Sequence, residues 1–159
     1  MRGLLLFLHW AGFAIWLGAQ LTFMVWGPAS RSQKLEPWAY TWVTLAKLQR
    51  GVVAPACAVA TVTGIVLTMR LVADHAELGG ATWLWMMQGF GILAAVMTLG
   101  LATPLANRMA VLALRSLEKG EKDPAAERVR SRLALLGSIG GVFILLALYF
   151  GALKPVTSG

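Results

Sequence analysis

Few side chains in this chain can do chemistry. The most informative lies in "GLLLFLHWAGFAIWLGAQLTFMVW", residues 3–26, where a single imidazole, His9, interrupts an almost wholly apolar run. An ionisable group inside a stretch of that kind is costly to bury, so it counts by default as a functional candidate. Phe13, Trp16 and Gln20 follow His9 on one helical face, which points that face toward a bundle interior. A neutral imidazole there can hydrogen-bond a carbonyl across a helix pair, hold haem iron, hold copper, or meet a quinone. All four readings stay open at this point.

Depth along the apolar segments supplies the partners. At about 1.5 Å per residue His9 lies roughly 9 Å inside one end of its segment. Alternating helix directions put Met69, Met86, Met87, Gln88 and Tyr149 at the same level, with Arg70 and Lys154 at the rim. An imidazole, thioethers and rim cations suit a b-type haem with iron on His9 and propionates paired to Arg70 or Lys154. Met69, Met86 and Met87 are then candidates for the second axial position, and the same thioethers suit Cu(I). In the bland alternative, His9 and Gln88 satisfy carbonyls and the methionines fill space. His75, beside Asp74 and Glu77, reads as a solvated loop residue that becomes a ligand only if its loop folds inward.

Soluble catalytic motifs are missing or out of context. "GFGILA", residues 89–94, fits a dinucleotide-binding string but has no strand before it, so helix packing explains it better. "HAE", residues 75–77, has no partner cysteines for a deaminase-type zinc site. Cys57 is the only cysteine, which excludes an internal disulfide and leaves it as buried filler.

The elements that must position these groups follow from composition. Of 159 residues 58% are hydrophobic and only 13% charged, and the mean hydropathy is +0.69, outside the range of an ordinary soluble domain. Four gaps between ionised side chains, 3–30, 51–69, 78–107 and 133–153, each supply the roughly 20 apolar residues that cross a bilayer core. Backbone amides cannot stay unpaired in lipid, so the spans must be helices. The expectation is an all-α, integral membrane four-transmembrane-helix bundle forming a single domain, with spans near 4–26, 51–71, 82–104 and 133–153. The run behind Arg2 mimics a secretory signal, but it is too long and ends in "VWGP", so it reads as the first span.

Basic residues set the orientation. Arg31, Lys34, Lys47 and Arg50 lie between spans 1 and 2, and seven more, from Arg108 to Arg132, lie between spans 3 and 4. The positive-inside rule makes that side cytoplasmic and turns both termini outward, as expected for a bacterial inner-membrane protein. This topology and anionic lipid account for the net charge of +7 more simply than nucleic acid does. "EPWAYTWVTLAKLQ" predicts an interfacial helix over 37–49 with Trp38 and Trp42 at headgroup level, and 106–132 predicts a cytoplasmic helical hairpin turning at "KGEKDP". Pro55 marks a kink or a first turn. Gly137 and Gly141 form a small-xxx-small pair that could join two copies or pack within one chain.

Three stretches carry a resemblance. "LHWAGFAIWLGAQLTF" resembles the first helix of HemJ-type membrane protoporphyrinogen oxidases, "LQRGVVAPACAVATVTGIVL" is similar to that family's R-G-I-M-x-P segment, and "LALYFGALKPV" resembles its closing V-x-K-P-F. A wider group of CopD-like small bacterial membrane proteins shares the histidine and tryptophan-glycine pattern. The resemblance implies that His9 ligates haem b, that Arg50 and Lys154 match the family's basic positions, and that protoporphyrinogen oxidation is the activity. Three departures stand beside it. Met87 occupies the lysine position of a W-x-x-x-K pattern with Gln88 next to it, "VMTLGLATP" lacks a tyrosine-histidine pair, and Gln49 replaces a tyrosine in "KLQRG". The missing lysine and histidine are groups that could handle protons or ligate a cofactor. A non-catalytic subunit of a larger membrane complex and a copper-handling protein are therefore the alternative expectations.

Overall fold

The computed structural model describes residues 2–153, and all of its regular structure is helical. Six α-helices run in order: α1 Arg2–Ala29, α2 Leu35–Leu48, α3 Ala54–Asp74, α4 Thr82–Val96, α5 Thr103–Lys119 and α6 Pro124–Ala152. Two pairs are continuous, α2 with α3 through a π-helical turn at Gln49–Val53, and α4 with α5 through another at Met97–Ala102. This leaves four rods long and apolar enough to cross a membrane. The rod Leu35–Asp74 has 40 residues, about 60 Å, roughly twice a bilayer core.

Both π turns have the same cause. Pro55 and Pro104 stand at the starts of α3 and α5, where each lacks an amide hydrogen and its ring crowds the carbonyl four residues earlier. Those earlier residues are Gly51 and Gly100, so "GVVAP" and "GLATP" repeat one G-x-x-x-P spacing. The helix absorbs the misfit as one wide turn and continues. Pro55 thus both opens α3 and follows a bulge.

At the other end of the rods, Gly120 ends α5 in the left-handed region, φ +75°, which favours glycine. Asp123 then starts α6: its carboxylate accepts a hydrogen bond from the Ala125 N–H at 2.8 Å, with Pro124 in the first turn.

The π turns divide the bundle into halves with different pairings. On one side α2 packs along α5; on the other, α3 packs on α1 and α4 on α6, while α3 and α4 meet over a shorter stretch. The rods therefore lie close at the α2–α5 end and part beyond the bulges, where α1 and α6 fill the space between them. The α2–α5 half has a core of Trp38, Trp42, Leu45, Met109, Leu112 and Val129. Trp38 and Trp42 are buried there, which corrects their expected place at headgroup level: α2 is the start of a rod and turns its aromatic face onto α5 and α6.

A short polar belt joins the halves. Gln49 Nε2 donates to Thr103 Oγ1 (3.1 Å), Thr103 Oγ1 to the Thr98 carbonyl (2.8 Å), and Trp16 Nε1 to Thr98 Oγ1 (3.2 Å). Around it pack Val53, Cys57, Ala60, Ala94 and Ile144. Gly141 is buried, with Met24 Sδ 4.0 Å from where its Cβ would stand, so it belongs to the α1–α6 contact inside one chain. The outward faces are broadly apolar, with Leu4, Phe7, Val25, Val62 and Leu135 all exposed.

Candidate functional site

The site is built by two glycines that bring helix backbones together. A Cβ on Gly12 would stand 2.8 Å from the Ala56 carbonyl oxygen and 3.1 Å from the Ala60 nitrogen, so α1 and α3 touch at that point. One turn earlier on α1, the antiparallel pairing sets His9 beside Ala60 and Gly64. Its ring lies over Gly64, where a Cβ would come within 2.9 Å of Cε1 and 3.2 Å of Nδ1. Only glycine leaves that space.

His9 Nδ1 lies 2.8 Å from the Ala60 carbonyl oxygen. A carbonyl can only accept, so Nδ1 carries a proton, and in the neutral ring that leaves the lone pair on Nε2. Nε2 has no hydrogen-bond partner among the described residues. The carbonyl bond and an available ligand atom are therefore two ends of one arrangement rather than competing readings, and metal-binding imidazoles are commonly oriented in this way.

Two cavities meet at the ring. The inner one, about 230 Å³, lies among α1, α3, α4 and α6 with Phe13, Trp16, Ile144, Met87 and Gln88 in its walls. The outer one, about 330 Å³, is more polar and includes Arg2, Arg70, Asp74, His75 and Trp83. They share His9, Trp10, Gly64 and Met87. The inner cavity alone falls below the roughly 300–1,000 Å³ of small-ligand pockets, and the two together fall within that range. Trp83 Nε1 is buried with no partner among the described residues.

The expected site residues divide clearly. His9, Met87 and Gln88 come together, and Arg70 stands at the outer rim as its depth implies. Gln88 is already engaged, because its Nε2 donates to the Gly64 carbonyl (3.0 Å) and to Thr68 Oγ1. It ties α4 to the stretch of α3 beneath the imidazole, which makes it a positioning residue. Met87 faces inward, its Sδ 3.1 Å from the place of a Cβ on Gly151. Met69 and Met86 are exposed and line neither cavity, so they do not face His9. Arg50 is exposed in the first π turn, fourteen residues or about 21 Å of helix from Gly64, and does not join the site. Lys154 lies outside the described residues. His75 borders the outer cavity, exposed, with Nδ1 3.5 Å from Glu77 Oε1. Among the described residues no group of three or more His, Cys, Asp or Glu is placed to hold a metal ion.

Sequence reasoning missed Gly64, Thr68, Trp83 and Arg2 as parts of the site. Arg2 was visible as a charge at the mouth of the first span. The others depend on how α3 and α4 are rotated, which a single sequence does not state.

These features define a class: an all-helical chain with four rods long and apolar enough to cross a membrane, and a histidine between two cavities near one end of the bundle. The chain matches no protein-family model, and neither curated proteins nor solved structures match it.

Proposed function

We propose that this chain is an integral protein of the bacterial inner membrane, with both termini outward and the basic segments cytoplasmic, that binds b-type haem through His9 Nε2 and serves a redox role. The observation that carries the reading is the Nδ1 hydrogen bond to Ala60, which leaves Nε2 as the free ligand atom at the junction of the two cavities. Membrane placement is supported by the apolar outward faces, which far exceed the scattered exposure of a soluble monomer.

The residues present fit the group in three respects. Gly64 leaves room for the His9 ring itself, Arg2 and Arg70 are cations that could pair with propionates, and Met87 offers a thioether shared by both cavities. When bound, haem supplies a one-electron couple. The chain's part is to orient the imidazole through Ala60, to brace it through Gln88 and Gly64, and to exclude water with Trp10, Phe13 and Trp16. If the protein is catalytic, porphyrinogen oxidation is the reaction to test first, and Met87→Lys should raise its rate. The copper alternative would draw on Met87 beside His9, since Met69 and Met86 do not face the ring. An accessory role in a larger complex would use the same scaffold without turnover.

The test is a reduced-minus-oxidised spectrum of the full chain purified from membranes in detergent. A b-type signal in the native protein that is lost in His9→Ala supports the reading. A signal unchanged in His9→Ala overturns it, as does a native protein that takes up no added haem.

A further inference from the structure

The α2–α5 half of the bundle contains a third cavity that the histidine site does not use. It measures about 170 Å³, and its walls come from α1, α2, α5, α6 and both π turns, Phe23, Trp42, Leu45 and Leu133 among them. An apolar hole of about 150 Å³ takes a benzene ring, so this one has room for a single six-membered ring with substituents. Its lining includes Met24 and Pro28 of α1 and Ala134 and Ser138 of α6, all exposed on the outer surface. The cavity therefore opens sideways between α1 and α6, and in the proposed membrane setting that opening faces lipid.

Two polar groups in this half lack partners. Gln20 is 7% exposed, borders the cavity, and makes no hydrogen bond to any described residue. Trp42, on the α2 wall and equally buried, has an Nε1–H with no partner. Buried polar groups are nearly always satisfied, so the Gln20 amide on the cavity wall points to a missing polar partner, whereas the Trp42 N–H is closed off from the cavity as well. Arg130 also borders the cavity, but both oxygens of Glu127 already hold it, Nε at 2.9 Å and a terminal nitrogen at 2.6 Å. Its charge is compensated, and what remains is neutral: the Gln20 amide, the Gln49 amide that already donates to Thr103, and the Ser138 hydroxyl.

We infer that this cavity binds the ring of a membrane quinone, whose apolar tail leaves between α1 and α6. The ring is flat, neutral and close to the size of the hole. A side-chain amide both donates and accepts, so Gln20 can hold the carbonyl of the quinone or the hydroxyl of the quinol. An anionic lipid headgroup fits less well, because the one cation at the cavity is already paired. The inference rests on the membrane placement of the proposed function and not on haem at His9.

The experiment is calorimetric titration of the detergent-purified full chain with decylubiquinone. Binding should weaken about threefold to tenfold in Gln20→Leu, the range for losing one hydrogen bond. Leucine is close to glutamine in size and Gln20 has no hydrogen-bond partner among the described residues, so this variant should melt no lower than the native chain. Gly137→Leu, at a position with nothing within 4 Å of a Cβ, should block the cavity while His9→Ala leaves the affinity unchanged. The inference is overturned if the native chain does not bind the quinone, if Gln20→Leu binds it equally well, or if phosphatidylglycerol displaces it through Arg130. Failure of the membrane placement itself would appear separately, as a chain released from membranes by alkaline carbonate without detergent.

Discussion

Gly64→Ala tests the site without touching the imidazole. The new methyl carbon would start 2.9 Å from His9 Cε1, and carbon contacts settle at about 3.5 Å or more, so ring and backbone must separate by roughly 0.6 Å. Gly64 sits in a continuous helix that Gln88 ties from the other side, so the ring is what moves, and the 2.8 Å bond to Ala60 lengthens out of range. Overpacking costs about 1–3 kcal/mol and the lost hydrogen bond about 0.5–1.5, offset by about 1 kcal/mol from replacing a helical glycine with alanine. The net cost is about 1–3 kcal/mol, small enough for the chain to fold. Haem affinity should fall about 10–100-fold, as it does when the partner orienting a metal-bound imidazole is lost. The assay is haem titration by absorbance on detergent-purified protein, with Gly18→Ala as the control, since nothing lies within 4 Å of a Cβ there. Equal affinity in Gly64→Ala and Gly18→Ala would refute the reasoning, because the imidazole would then not depend on its seat.

Further outcomes follow from the packing. Gly12→Ala should lower thermal stability relative to Gly18→Ala by about 1–3 kcal/mol, because its Cβ meets the backbone of α3, which cannot rotate away. Thr103→Val leaves the Gln49 amide without its acceptor, while the Thr98 carbonyl keeps the backbone N–H of residue 103, and should cost about 1–3 kcal/mol in the same melts. Asp123 is held below its ordinary carboxyl value, first by the Ala125 N–H, against the opposing effect of burial, with Lys119 and Arg115 adding smaller pulls. Its folded-state value lies below the unfolded one, so its contribution is complete above the unfolded value near 3.9 and fades as pH falls through the folded one. Asp123→Ala should lower the melting temperature at pH 7 and flatten its dependence on acid, and Asp123→Ser should restore the cap but not the pH dependence.

The long helices were legible because a run of that length without charges has few choices if it is to suit lipid: it must become a helix, and 3–30 became α1. The same reading put His9, Met87 and Gln88 at one depth. Depth is a matter of counting residues, but azimuth is not. Met69 adjoins the buried Thr68 and Met86 adjoins the inward Met87, and one residue turns a helix by about 100°. The four-residue spacing that orders one helix cannot give the rotation of its neighbour, so Gly64 and Thr68 went unnoticed. The π turns were within reach, since "GVVAP" and "GLATP" announce them by the same spacing. The tryptophans of α2 misled because an aromatic stripe suits a headgroup belt as well as a protein core. Here α5 and α6 covered it.

The central claim concerns one atom, Nε2 of His9. His9→Gly should empty the ring's seat and abolish the b-type spectrum, and added imidazole should restore it, while Met69→Leu and Met86→Leu should leave the spectrum unaltered. A His9→Gly protein that keeps its spectrum without imidazole would contradict the account, as would a spectrum that vanishes in Met69→Leu or Met86→Leu with His9 intact.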